Sequence, residues 1–77
     1  MKYGVEKFLI VGAGEGQVPA ILAARDLGFE TIVVDKNPKA PGMRIADKAI
    51  VVDLLDIKGV ASVAVKHSVK GVLTMQS

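Results

Sequence analysis

The residues with most to offer chemically are Gly12-Ala13-Gly14-Glu15-Gly16-Gln17, which stand between an apolar run and a helical pattern. A glycine-rich turn in that setting lets the backbone approach an anion while the first N–H groups of the helix point at it. A phosphate or a carboxylate is the ligand such a turn takes. Glu15 is the odd member: its carboxylate repels a dinucleotide pyrophosphate but can hold the amine or hydroxyl of a small substrate. Plainer readings stand beside these. Any tight strand-to-helix turn needs glycines, and the helix dipole favours an acid in the first turn without any ligand. Gly12 and Gly14 supply the first two glycines of the dinucleotide fingerprint G-x-G-x-x-G, but Gln17 takes the third place, with Gly16 one residue early.

Asp35 ends an apolar run about twenty residues after the turn, where a dinucleotide-binding protein carries the acid that hydrogen-bonds a ribose. With Lys36-Asn37-Pro38 behind it, the same aspartate also reads as a turn-starter that caps local N–H groups. Lys36 suits either a 2′-phosphate or plain solvation. Gln76 follows the last apolar run, where the ligand crevice of an open α/β sheet lies. The candidate substrate-binding set is therefore Gly12, Gly14, Glu15, Gly16, Gln17, Asp35 and Gln76. His67, the one histidine, falls at a helix end where a cation is favoured structurally. Asp47, Asp53 and Asp56 read as a strand-preceding, a strand-ending and a helix-capping residue, so neither a catalytic residue nor a metal ligand is assigned.

Elements that position these residues are legible around them. Phe8–Val11 is a continuous apolar run, as in a parallel strand buried on both faces. Val18, Ile21, Leu22 and Leu27 then recur at helical spacing, with Pro19 in the first turn and Gly28 as the residue beyond the end. The β-branched run Thr31–Val34 completes a βαβ unit with an expected right-handed crossover. Residues 36–47, with Asn37-Pro38 and Pro41-Gly42, read as a mostly irregular connection. Ala49–Val52 is a third strand. Asp56 caps a second helix with Ile57, Val60, Ala61 and Ala64 inward, and Gly71–Met75 is a fourth strand. The expected fold is a Rossmann-like open parallel α/β sheet of about four strands and two helices, in three layers or an incomplete two, with order 3-2-1-4.

Composition narrows the class. The 77 residues are 51% hydrophobic, 23% charged and 4% aromatic, which fits one small aliphatic core and excludes disorder. A net charge of +2 from dispersed lysines gives no stripe for nucleic acid. Cysteine is absent, which removes disulfides and thiolate chemistry. No apolar run is long enough for a membrane span, and Glu6 and Lys7 interrupt anything like a signal peptide, so a cytoplasmic location is expected.

Taken as a whole, the run from Val11 to Asp56 resembles the pre-ATP-grasp domain of the ATP-grasp ligase superfamily. The specific part is Asp35, then Asn37-Pro38, Ala40-Pro41-Gly42, and Ala46-Asp47 leading into a valine-rich strand. Within the superfamily it is most similar to formate-dependent glycinamide ribonucleotide transformylase and carboxyaminoimidazole ribonucleotide synthase. Biotin carboxylase and the carbamoyl phosphate synthetase large subunit are more distant. The resemblance implies one domain over residues 1–77, the substrate side of an ATP-dependent ligase that works through an acyl phosphate. It gives the turn, Gly12 to Gly16, to a small carboxylate or phosphorylated substrate. ATP and magnesium are implied in the parent enzyme, held by further ATP-grasp domains that this chain lacks, so the piece alone is expected to be inactive. Its uncovered sheet edges make a homo-oligomer a further expectation. The chain departs from the usual Leu-Gly after the acidic residue, having Gly16-Gln17. A nicotinamide-binding Rossmann domain and a regulatory ligand-sensing domain are the alternatives.

Overall fold

The computed structural model describes residues 6–74. Four strands, β1 (Lys7–Val11), β2 (Glu30–Asp35), β3 (Lys48–Val51) and β4 (Gly71–Thr74), pair in parallel in the order β3-β2-β1-β4. Each lies within one residue of its expected limits, with Met75 outside the described residues. Helices α1 (Val18–Asp26) and α3 (Ile57–Lys66) are the two expected ones, and a single turn, α2 (Pro41–Ile45), joins them.

Alternate residues of the central strands serve opposite faces. Ile10 and Val33 pack with Ile21 of α1 and Met43 of α2, while Leu9, Ile32 and Val34 face Val60, Val63 and Ala64 of α3. The molecule is thus three-layered. These strand side chains are fully excluded from solvent, each stabilising the fold by about 1.5–3 kcal/mol.

The inward stripes differ in detail from the sequence reading. On α1 the buried residues are Ile21 and Ala24, while Leu22 and Leu27 are exposed. On α3, Val60, Val63 and Ala64 pack against the central strands, while Ile57 and Ala61 are left exposed. Both helices are apolar on more than one side, so period alone did not fix which side the sheet takes.

The connection after β2 is more ordered than its prolines and polar residues indicated. Asp35 Oδ1 accepts the Asn37 N–H at 2.9 Å and Asn37 Oδ1 accepts the Lys39 N–H at 2.9 Å, two successive side-chain turns. Pro41 then opens α2 at a position where its missing N–H is not needed, and extended Ala46 ends it after one turn. Asp47 fastens the far end: its Oδ2 accepts the Thr31 N–H at 2.8 Å and the Thr31 hydroxyl at 3.0 Å.

Both long helices close with paired C-terminal hydrogen bonds. After α1, Phe29 N–H reaches Ala24 O and Gly28 N–H reaches Arg25 O. After α3 the same pattern runs from Val69 to Ala64 and from Ser68 to Val65, with Ser68 at φ 53° in the left-handed place usually given to glycine. Asp56 caps the start of α3, its Oδ1 accepting the Gly59 N–H at 3.0 Å, as its place in the sequence indicated.

Candidate functional site

Strand order reverses at β1: the chain moves outward from it through β2 and β3, then returns to place β4 on its other side. In open α/β sheets the crevice beyond the strand ends at such a reversal is where ligands bind. The glycine turn leaves β1 at this point. Gly12 N–H continues the ladder to Val34 O at 2.8 Å, and Gly12 then turns at φ 96°, a conformation other residues rarely hold.

After Gly14, which is extended at φ −67° and ψ 177°, residues Glu15–Gln17 form one 3-10 turn that runs into α1. Its first internal bond is Gln17 N–H to Gly14 O at 3.0 Å, so the Glu15 and Gly16 N–H groups precede any intrahelical acceptor. Glu15 and Gly16 are exposed, and nothing lies within 4 Å of the Cβ position at Gly16. This is the open side of the turn. It offers N–H donors and one carboxylate to a small ligand.

Gln17 faces the other way. The side chain is buried, with its amide near the Cβ positions of Gly12, at 3.5 Å, and of Gly14, at 3.3 Å. Where the dinucleotide fingerprint has a third glycine for close helix packing, this chain packs an amide under the turn.

Asp35 stands half-buried at the end of β2 with both oxygens engaged by backbone. Oδ2 accepts the Ala13 N–H at 2.8 Å, and Oδ1 accepts the Asn37 N–H already described. On the other side of Ala13, the Gly42 N–H donates to Ala13 O at 2.7 Å. Gly42 is confined there: a Cβ would stand 3.0 Å from Ala13 O, 3.1 Å from Ala13 Cα and 2.6 Å from Ile21 Cδ1.

The structure therefore brings together Gly12, Gly14, Glu15, Gly16, Gln17 and Asp35 around one turn, while Gln76 lies outside the described residues. Ala13 and Gly42 were missed as parts of this arrangement. Pro41-Gly42 was visible as a turn signal and as part of the stretch that carries the resemblance, and its contact with a residue 29 positions earlier depends on how α2 lies over α1. His67 is the C-terminal cap residue of α3. Among the described residues no group of three His, Cys, Asp or Glu side chains is placed to share a metal ion. Nor, among them, is any helix long and apolar enough to cross a membrane.

No family model matches the chain. Curated relatives do. It is 34% identical over 71 residues to the formate-dependent phosphoribosylglycinamide formyltransferase of Sulfurisphaera tokodaii, covering 92% of this chain and 18% of that protein. It is 33% identical over 66 residues to the Bacillus subtilis enzyme of the same name, covering 86% and 17%. Among solved structures, the glycinamide-RNase-transformylase T of Mycobacterium tuberculosis superposes with a TM-score of 0.84 at 28% identity, over 92% of this chain and 20% of that one. The N5-carboxyaminoimidazole ribonucleotide synthetase of Thermotoga maritima gives 0.82 at 25% identity, over 92% and 19%. The chain thus spans about a fifth of the length of the proteins it matches. With a glycine turn at the strand reversal and a proline-bearing excursion where a dinucleotide-binding domain carries a crossover helix, the chain belongs to the ATP-grasp ligase superfamily, on the pattern of its pre-ATP-grasp domains.

Proposed function

We propose that this chain is the N-terminal, substrate-side domain of a cytoplasmic ATP-dependent ligase, and that the turn from Gly12 to Gln17 receives a small phosphorylated or carboxylate substrate. The observation that carries this reading is the open side of that turn at the strand reversal, where the Glu15 and Gly16 N–H groups lack intrahelical acceptors. In such a ligase ATP phosphorylates a carboxylate or bicarbonate, and an amine attacks the acyl phosphate and releases phosphate. ATP and magnesium then belong to further domains, and Glu15 would orient the attacking amine by accepting its hydrogen bond. Phosphoribosylglycinamide, which the relatives' name contains, joins an amine to a phosphate and fits both features of the turn.

Against a nicotinamide site stands the turn itself, which has Gln17 where the dinucleotide fingerprint has its third glycine, while each Asp35 oxygen accepts one backbone N–H, a structural role that needs no ribose. Calorimetry on this chain with phosphoribosylglycinamide, NADH and ATP tests the proposal. The expected result is saturable binding of the first, none of NADH, and no ATP-dependent ligation by the chain alone. Micromolar NADH binding with no response to the phosphoribosyl compound would overturn it. The apolar surface beside β4 is proposed to meet the remaining ligase domains or a second copy of this chain.

A further inference from the structure

We propose that Asp35 and Gly42 are positioning residues for the substrate turn: they hold the two peptide units that flank the Ala13 Cα and thereby fix where the Glu15 and Gly16 N–H groups point. This deepens the substrate-side reading and rests on it for the identity of the ligand. Asp35 is then no ligand of the substrate, although its place at the end of β2 makes it look like one.

Three observations carry the inference. The sheet stops guiding the backbone at Gly12, whose N–H makes the last ladder bond, and internal helical bonding resumes only at Gln17. Between them the chain pivots at a glycine with φ 96°, the residue type with least conformational resistance. Ala13 is tied down there through both its backbone groups, the N–H by Asp35 at 2.8 Å and the carbonyl by Gly42 at 2.7 Å.

The two partners are the last residue of β2 and a residue of α2 in the excursion that follows it, both far from the turn in sequence. The Asp35 bond is charge-assisted, stronger than a neutral one. Contact at Gly42 is close enough that an added methyl group must displace the Ala13 backbone or Ile21. The excursion is thus a template for the turn, held in shape by its own successive side-chain turns. Donors held in advance bind more tightly than donors that must be ordered by the ligand.

The test uses this chain with Asp35→Asn, which keeps the side-chain size, and Gly42→Ala, with Thr31→Ala as a control that loosens the opposite end of β2. Amide resonances of Gly14, Glu15 and Gly16 are read without ligand, and phosphoribosylglycinamide affinity by calorimetry. Expected are displaced resonances and at least tenfold weaker binding in both variants, with neither change in the control. Unmoved turn resonances in Asp35→Asn would overturn the proposal. So would weaker binding in Asp35→Asn with wild-type binding in Gly42→Ala, because Asp35 would then be acting as a ligand. If Gly42→Ala does not fold, Asp35→Asn alone decides through the resonances. Should the unaltered chain bind no phosphoribosylglycinamide, the ligand assignment fails, and the ligand-free resonances still decide the clamp.

Discussion

At each end of β2 a carboxylate accepts an N–H from backbone distant in sequence, Asp35 from Ala13 and Asp47 from Thr31. The Asp47 carboxyl is held below its ordinary range first by the Thr31 N–H, against some burial, and further by the Thr31 hydroxyl and Arg25. Arg25 stands 3.9 Å away with both side chains well exposed, so it adds little beside the hydrogen bonds. Because the folded-state value is the lower one, the stabilisation is fully present above the unfolded value of about 3.9 and is lost as pH falls through the folded value. Thermal midpoints of the chain and of Asp47→Asn should therefore differ at neutral pH and converge in acid. Parallel curves down to the lowest pH would show that the Asp47 charge contributes nothing. The sequence marked Asp47 only as a residue before a strand, since its partner lies 16 positions away.

At the scale of elements, α3 is well started and less well finished. Its start has the Asp56 cap, whereas its end forces Ser68 to φ 53°. A non-glycine residue pays a steric penalty there of about 1–2 kcal/mol. Ser68→Gly should raise the unfolding free energy by about 1 kcal/mol, read from denaturant midpoints at unchanged slope. An unchanged or lowered midpoint would mean that the Ser68 side chain compensates for the strain. The helix and its cap were legible in the Asp56 position and the apolar spacing. Ser68 was not, because the left-handed residue after a helix is advertised by glycine and this chain does not use one.

At the scale of the whole molecule, β4 is only partly covered: Leu73 packs against the core on the α1 side, while Val72 and Thr74 are exposed on the other face. On the α3 side an open groove of about 430 Å³ is lined by residues that include Leu9, Ile57, Ala61, Val65 and Val72. On the α1 side a second groove includes Phe8, Leu27, Phe29 and Leu73. Described β4 carries no charge and no proline, the two features that most often discourage pairing at a sheet edge. Sedimentation of the chain should show concentration-dependent dimers, and Val65→Lys, at a position 79% exposed, should lower the average mass without shifting the thermal midpoint. An unaltered mass in Val65→Lys would remove this groove from the association surface. Exposed apolar surface of this extent is invisible to sequence patterning, which marks apolar residues without saying which of them find a partner.

Strand positions, the two long helices, the Asp56 cap and the location of the glycine turn were all determined by the sequence alone. They depend on local chemistry: β-branched runs buried on two faces, and helical spacing between turn signals. What only the tertiary structure decided were contacts between segments far apart in the chain. By its position Asp35 could have met a ribose or the backbone, and only the fold shows that it accepts the Ala13 N–H at 2.8 Å. Gly42 became necessary once α2 lay against the turn, and Ile57 and Ala61 were left exposed along the groove beside β4 while Val60, Val63 and Ala64 packed on the central strands. Local energies fix which elements form, whereas the direction in which a side chain or an N–H finally points depends on neighbours that exist only after the sheet has assembled.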